Sequence, residues 1–201
     1  MNRTKLLAIT TVLIAVMAVI GAASALKGGQ KPLKGVYVSG GDKKMYVIDP
    51  DTMTVIASKY VGQSSTWPSN QYPGDKYIWL PGGGTQGLTV INSKDLSVAC
   101  KTGYGSNWVE VTPDNTLAYV TTLGTDTIIK VNGDVSAGCP NTAAPLDKTV
   151  YDTTKHDGPC DMTVSPDANW LCIPDIYSGI TNGNGMDSIT MVNANNLNDT
   201  V

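Results

Sequence analysis

Residues 108–122 read WVEVTPDNTLAYVTT, and residues 161–175 repeat the same order as DMTVSPDANWLCIPD. In both stretches a short apolar run meets a Pro-Asp turn, and a second apolar or aromatic run follows. Pro sets the backbone dihedral of such a turn and the Asp side chain caps its backbone. Both stretches are therefore predicted to be β-hairpins, and the preceding Thr112 and Ser165 are interpreted as turn residues rather than nucleophiles.

The hairpin belongs to a longer unit that recurs along the chain. Each unit adds a loop rich in Gly, Thr and Asp, an apolar strand that ends in Asn or Asp, a polar turn and a final strand. The positions Val38, Trp79 and Val120 are assigned as equivalent, which gives two steps of 41 residues. The next step, to Ile173, is 53 residues and predicts one insertion within 133–159.

A period of about 40 residues with four short strands is typical of a propeller blade, because a single four-stranded sheet buries both faces only when neighbours stack on it. The predicted fold class is thus all-β, a β-propeller of four-stranded blades. A β-sandwich is the alternative, but it would leave the regular spacing to chance.

The composition favours β structure and excludes one class of partner. Sixteen of the 17 acidic residues are Asp and only Glu110 is Glu, whereas helices use Glu freely. The chain has a formal net charge of −3 and no cluster of Lys or Arg after its N-terminus. No nucleic-acid partner is therefore expected.

The N-terminus has the order of a secretory signal. Arg3 and Lys5 precede an apolar run at 6–20, and small residues follow up to Ala25. An uncleaved membrane anchor is the alternative, since the run could just span a bilayer. The predicted organisation is a signal peptide at 1–25, a linker at 26–35 and propeller blades at 36–201. The mature protein is expected to be periplasmic, extracellular or at the cell surface, with no membrane contact after cleavage.

One family resembles these repeats. Residues 111–115 (VTPDN) and 118–122 (AYVTT) resemble the SPDG and YVTN elements of the YVTN-type β-propeller repeats, and residues 163–167 repeat the first element. Residues 47–52 (VIDPDT) are similar to the family's VIDTAT strand and turn. The resemblance implies a propeller, but not one function, because such propellers include bare scaffolds, cell-surface proteins and subunits of exported redox enzymes.

The repeats account for about three and a half blades. The first blade lacks an inner strand, so the chain is interpreted as the N-terminal half of a larger, seven-bladed ring. A four-bladed ring, or a ring that closes between chains, is the alternative. An open arc would expose the packed faces at 36–38 and 189–192, and residues 26–201 alone are expected to be oligomeric or poorly soluble.

Few residues point to chemistry. No Cys-x-x-Cys-His is present, which excludes covalent haem c within this chain, and the single histidine cannot build a multi-histidine metal centre. The loops at one end of the ring supply the candidate binding residues, with solvated loop residues as the alternative interpretation. These candidates are Trp67, Tyr104, Asn107, His156 and Asp157.

A calcium site is a further candidate. Asn182, Asn184 and Asp187 offer oxygen ligands at close spacing, but Ile180 stands where a calcium loop would begin with a carboxylate. No other cofactor is expected within this chain.

Four cysteines in an exported chain predict disulfide bonds. Cys160 and Cys172 are expected on opposite faces of the last hairpin, which disfavours a bond between them. Cys139 and Cys160 bracket the insertion and are predicted to be bonded, which leaves Cys100 and Cys172 free or paired.

These observations predict an exported, non-catalytic propeller that acts as a binding or assembly scaffold for other protein subunits or for a continuation of the same chain. The resemblance allows a propeller subunit of a multi-subunit redox enzyme, similar to the methylamine dehydrogenase heavy chain or hydrazine synthase. The alternative is the N-terminal half of a propeller oxidoreductase, similar to nitrite or nitrous oxide reductase, with its cofactor ligands outside this chain.

Overall fold

The computed structural model describes residues 33–64, 76–82, 87–122, 125, 127–150, 161–175 and 188–200. Within these ranges the strands form four antiparallel sheets, named blades 1 to 4 in chain order. Blade 1 contains β1 (Val36–Ser39), β2 (Lys44–Asp49) and β3 (Thr54–Tyr60). Blade 2 contains β4 (Tyr77–Pro81), β5 (Leu88–Asn92) and β6 (Val98–Thr102). Blade 3 contains β7 (Trp108–Val111), β8 (Leu117–Thr122), β9 (Thr127–Asn132) and β10 (Asp147–Val150). Blade 4 contains β11 (Thr163–Val164), β12 (Trp170–Asp175) and β13 (Ser188–Asn193).

Each blade is a meander, and its strands are labelled A to D from the inner edge outward. Blade 3 shows all four, in the order β7, β8, β9 and β10. Blades 1 and 2 each show B, C and D among the described residues. The missing inner strand of blade 1 concerns residues outside the described ranges and stays a prediction. In blade 4, Val192 forms a bridge to Thr200, where a D strand would begin.

The predicted insertion is the connection between strands C and D of blade 3. It runs from residue 133 to 146, contains a 3-10 helix (Val135–Ala137), and precedes β10. In blade 1 the same connection needs only residues 50–53.

The Pro-Asp stretches form the predicted hairpin turns. Asp114 accepts hydrogen bonds from the Thr112 hydroxyl at 2.6 Å and from the Thr116 amide at 3.0 Å. These hydrogen bonds lower the pKa of the Asp114 carboxyl, and the bond from Thr112 has the largest effect. Asp167 repeats the arrangement with the Ser165 hydroxyl and the Asn169 amide. Thr112 and Ser165 therefore serve the turns.

The C strands end in a second repeated device. In every blade an Asp or Asn side chain at the end of strand C accepts a hydrogen bond from the backbone amide two residues later, which starts the turn to strand D. The four side chains are those of Asp49, Asn92, Asn132 and Asn193.

Apolar layers fill the three spaces between neighbouring blades. Met45 and Val47 of blade 1 pack against Ile78 and Leu80 of blade 2. Trp79 of blade 2 belongs to the layer shared with blade 3. Blades 3 and 4 share a third layer, which contains Tyr119, Leu171 and Ile173. Each blade thus has a backward face toward the preceding blade and a forward face toward the next.

This packing corrects the predicted equivalence of Trp79. Val38 and Val120 are on backward faces, whereas Trp79 is on the forward face of blade 2. Leu80 is the true equivalent, and the two steps are 42 and 40 residues. Because side chains alternate along a strand, an error of one residue exchanges the two faces.

The structure also corrects the disulfide prediction. Cys139 bonds to Cys100, with a Cα–Cα distance of 5.3 Å, and is therefore not available to Cys160, which lies outside the described residues. Cys100 is in β6, and the 3-10 helix of the long connection packs against that strand, so Cys139 reaches the outer edge of blade 2. Cys172 is a free thiol and pairs in register with Thr163, as predicted.

Blades 1 and 4, at the two ends of the arc, do not cover each other's free faces. Val36 is 53% exposed on the backward face of blade 1, and Ile189 is 67% exposed on the forward face of blade 4. The described strands therefore form an open arc rather than a closed four-bladed ring. Within the described part of the chain, no helix is long and apolar enough to cross a membrane.

Candidate binding rim

The loops from strand D to the next strand A and the loops from B to C lie at one end of the arc, which is called the rim. Short strands with ordered hairpin turns place these loops side by side. Tyr104 and Asn107, two of the predicted binding residues, belong to the rim between blades 2 and 3.

Gln63 ties the rim of blade 1 to blade 2. Its side chain is 3% exposed and its amide donates to the Leu80 carbonyl at 2.8 Å and the Gly87 carbonyl at 3.3 Å. The Thr89 hydroxyl donates to the Gln63 amide oxygen at 2.5 Å. A buried amide with its donors and acceptor satisfied fixes the loop that carries it.

Gly87 is the junction of this network. Its carbonyl also accepts from the Gly82 amide at 2.9 Å and the Ser106 hydroxyl at 3.5 Å. Its φ of +76° is unfavourable for other residues, and a Cβ would lie 2.1 Å from the Thr102 carbonyl oxygen. A side chain here would be strained and would clash with Thr102, so this position of the rim requires glycine.

Tyr104 and Asn107 differ in what they offer a ligand. Tyr104 is half-buried beside the layer between blades 2 and 3, and burial raises the pKa of its phenol, while a hydrogen bond with Thr122 acts in the opposite direction. Asn107 is only 8% exposed, and its backbone amide donates to the Thr121 carbonyl at 2.8 Å. Of the two side chains, that of Tyr104 is the more accessible.

Two buried polar atoms at the rim have no hydrogen-bond partner among the described residues. They are Nε1 of Trp108 and Oγ1 of Thr121, whose side chains are 8% and 0% exposed. The two residues are opposite each other in the register of β7 and β8, so both side chains lie on the forward face of blade 3. A buried donor without an acceptor lowers the stability of the fold, so a water or ligand that accepts its hydrogen bond would bind favourably there.

Glu110 is a third polar group on this face. It is fully buried, and its carboxylate accepts from the Val164 amide of blade 4 at 3.4 Å. In the sequence, Glu110 stands out only as the single glutamate. No local sequence pattern showed that this carboxylate contacts the neighbouring blade.

The other predicted site residues are not located. Trp67, His156 and Asp157 lie outside the described residues, as do the calcium candidates Asn182, Asn184 and Asp187, and their roles stay predictions. No group of three or more His, Cys, Asp or Glu side chains in the described ranges is arranged to hold a metal ion.

A cleft of about 330 Å³ opens at the opposite end of the arc, between blades 2 and 3. Its lining includes Lys76 and Asp134, whose charged groups are 3.5 Å apart, and the turn residue Asp114. The carboxylates there already serve the turns or face the lysine, so the rim is the better candidate site.

Comparison with solved structures relates this arrangement of blades to known folds. A chain of Kuenenia stuttgartiensis hydrazine synthase aligns with a TM-score of 0.54 and 14% identity over 87% of this chain and 50% of its own. Dihydro-haem d1 dehydrogenase NirN aligns with a TM-score of 0.59 and 17% identity over 87% of this chain and 35% of its own.

The Pan2 WD40 domain of Neurospora crassa gives a TM-score of 0.57 and 13% identity over 84% of this chain and 48% of its own. The fold is a β-propeller. The chain spans half or less of the length of these solved chains. No protein-family model and no curated protein sequence matches it.

Proposed function

We propose that this chain is an exported, non-catalytic propeller that acts as a binding or assembly scaffold. The observation that carries the proposal is the exposure of apolar sheet faces at both ends of the arc. Of the nine large hydrophobic residues exposed in the described part of the chain, five lie on the strands of blade 1. Contiguous patches of this kind on soluble proteins mark interaction surfaces.

Export is supported by the disulfide. Cys100 is 4% exposed in the layer between blades 2 and 3, and Cys139 comes from the long connection of the neighbouring blade. A structural disulfide between blades is expected in an oxidising compartment. Together with the signal-like N-terminus, the bond favours a periplasmic, extracellular or surface location.

More specifically, the chain is proposed to be a propeller subunit of a redox enzyme. The fold likeness to hydrazine synthase and NirN is compatible with a propeller that holds other subunits in such a complex. The resemblance to YVTN-type repeats allows this interpretation but does not favour it over other propeller roles.

A second candidate is part of a propeller oxidoreductase whose cofactor ligands lie elsewhere. The Trp108 and Thr121 atoms that lack a partner in the described part of the chain favour it, because a bound group at the rim would satisfy them. The described residues by themselves offer no ligand set for a metal.

Native purification with visible spectroscopy separates the two functions. The scaffold proposal expects other protein chains, or further copies of this one, in a fixed ratio, and no absorption band above 350 nm that follows this chain once it is separated from them. A Soret or copper band that stays with the native polypeptide that contains these residues, after other proteins are removed, would overturn the scaffold proposal and favour the oxidoreductase.

A further inference from the structure

The turn between strands C and D of blade 4 carries a sequence motif for covalent modification. Residues 198–200 read Asn-Asp-Thr, which is the Asn-x-Ser/Thr pattern that accepts N-linked glycans in exported proteins. Between residues 26 and 201 no other asparagine has Ser or Thr two positions later. Asn2 has Thr4 at that distance, but it lies in the predicted signal peptide. Asn198 is therefore the single candidate acceptor in residues 26–201.

The structure gives Asn198 the accessibility that an acceptor needs. Its side chain is exposed, and its carboxamide has no hydrogen-bond partner among the described residues. Two neighbouring asparagines are engaged instead. The Asn193 carboxamide donates to the Asp199 carboxylate at 3.1 Å, and that of Asn195 donates to the Asn169 side-chain oxygen at 3.3 Å. Asn198 thus presents its carboxamide to solvent.

Thr200 supplies the hydroxyl of the motif. Its side chain is exposed, and its backbone forms the bridge to Val192, which holds the residue at the edge of the sheet. The enzymes that attach N-linked glycans require a hydroxyl at this position. Both groups of the motif are therefore accessible to the same enzyme.

Other residues hold the turn in place, so a glycan would not disturb the packing. Leu197 is fully buried in the layer between blades 3 and 4, and its amide donates to the Asp147 carboxylate at 2.9 Å. The Ala194 carbonyl accepts from the Lys130 ammonium at 2.8 Å. These contacts attach the turn to blade 3 and leave Asn198 outside the apolar layer.

Exposure is shared by the C–D turns of the interior blades. Blades 2 and 3 each lie between two other blades, and residues Asp95 and Asp134 in their C–D turns are exposed. The exposure of Asn198 is therefore a property of this turn and does not depend on the face of blade 4 being uncovered.

We propose that Asn198 is an N-glycosylation site. The Asn198 side-chain nitrogen Nδ2 loses one proton and forms a bond to the anomeric carbon of a sugar. The bond between that carbon and the phosphate of a lipid-linked oligosaccharide breaks, and the lipid phosphate leaves. No group is oxidised or reduced. The proposal rests on the export that is part of the proposed function, because N-linked glycans are attached to exported proteins.

The position of the glycan would orient the molecule. The C–D turns lie at the end of the arc opposite the rim, since the rim contains the loops from D to A and from B to C. A glycan on Asn198 would keep that opposite end in solvent and leave the rim free for a partner.

Mass spectrometry of the mature protein purified from its own cells tests the site. The wild type is expected to exceed the mass of its polypeptide by one or more sugar residues, located on the peptide that contains Asn198. Asn198→Gln and Thr200→Val should each remove the whole of this added mass, because each destroys one half of the motif. Thr200→Ser should keep it, because the hydroxyl remains.

Asn195→Gln is the matched control. Asn195 is exposed in the same turn, but Leu197 stands two positions later, so it lacks the motif. This variant should carry the same glycan as the wild type. A sugar that remains on Asn198 in the Thr200→Val protein would overturn the proposal, because the motif would then not be what the enzyme recognises.

The N-terminus and the disulfide, measured on the same sample, separate this proposal from the proposed function. A chain that has lost residues 1–25 and formed the Cys100–Cys139 bond, but has an unmodified Asn198, would overturn the glycosylation site and leave the exported scaffold intact. A chain that retains residues 1–25 and has both thiols reduced would overturn export, and the glycosylation site with it.

Discussion

At the scale of single residues, tyrosine hydroxyls join neighbouring blades. Tyr119 on the forward face of blade 3 donates to the Ala194 carbonyl in the C–D turn of blade 4 at 3.1 Å. Tyr37 is its equivalent in blade 1, and its hydroxyl lies 2.6 Å from the Leu33 carbonyl oxygen and 3.2 Å from the Ser93 carbonyl oxygen in the C–D turn of blade 2. Burial, with smaller effects of the Asp114 and Asp147 charges, raises the pKa of Tyr119 to about 12.

Tyr119→Phe is predicted to destabilise the chain at neutral pH but less so at alkaline pH. The neutral phenol is the form that the fold stabilises, so its contribution is complete below pH 10 and is lost as the pH rises from 10 through about 12. At pH 7 the variant should lose about 1 kcal/mol of unfolding free energy with its hydrogen bond. Urea unfolding at pH 7 and pH 11 measures both effects.

Tyr60→Phe is the matched control for that experiment, because Tyr60 is 64% exposed. Its unfolding free energy should differ little from that of the wild type at either pH. A Tyr119→Phe deficit that stays constant from pH 7 to 11 would show that the buried phenol is not linked to folding.

Residue-level prediction succeeded where a side chain acts on its own backbone. The roles of Asp114 and Asp167 follow from the local Pro-Asp order, and the structure confirms them. Gln63 and Glu110 act instead on partners in a neighbouring blade, 17 and 54 residues away in the sequence. No local pattern specifies such contacts, so the sequence could not assign them.

At the scale of elements, the long C–D connection of blade 3 determines the disulfide. The sequence located the insertion within 133–159 but not the path of the chain through it. Cys139 and Cys160, which bracket the insertion, were therefore predicted to bond to each other. Instead, the 3-10 helix packs against β6, and Cys139 bonds to Cys100. The resulting bond joins two blades instead of closing one loop.

Cys139→Ser is predicted to lower the unfolding free energy by about 2–4 kcal/mol, because the bond closes a segment with a sequence separation of 39 residues. Cys139 is exposed, so the substitution removes the bond without a cavity in the core. Urea unfolding of the oxidised proteins measures the loss. Cys172→Ser is the control and should change far less; equal losses in the two variants would contradict a structural role for the bond.

At the scale of the whole molecule, side chains that alternate between the two faces of each short strand pack against the preceding and the next blade, and this stacking produces the arc. The spacing of the repeats predicted blades, and the four sheets confirm them. The one-residue error at Trp79 arose because Tyr77–Pro81 is apolar on both faces, so its alternation does not show which face packs forward. Such a strand is expected inside a stack of blades, where both faces are covered.

The central claim is that apolar layers between consecutive blades hold the arc together, and methionine oxidation by hydrogen peroxide, mapped by mass spectrometry, tests it most directly. Met45 lies between blades 1 and 2, Met162 lies between blades 3 and 4, and both are 1% exposed, whereas Met53 is 77% exposed. The native protein should therefore oxidise at Met53 at least tenfold faster than at Met45 and Met162, and all three rates should converge in denaturant. Oxidation of Met45 or Met162 as fast as Met53 under native conditions would contradict the stacked blades.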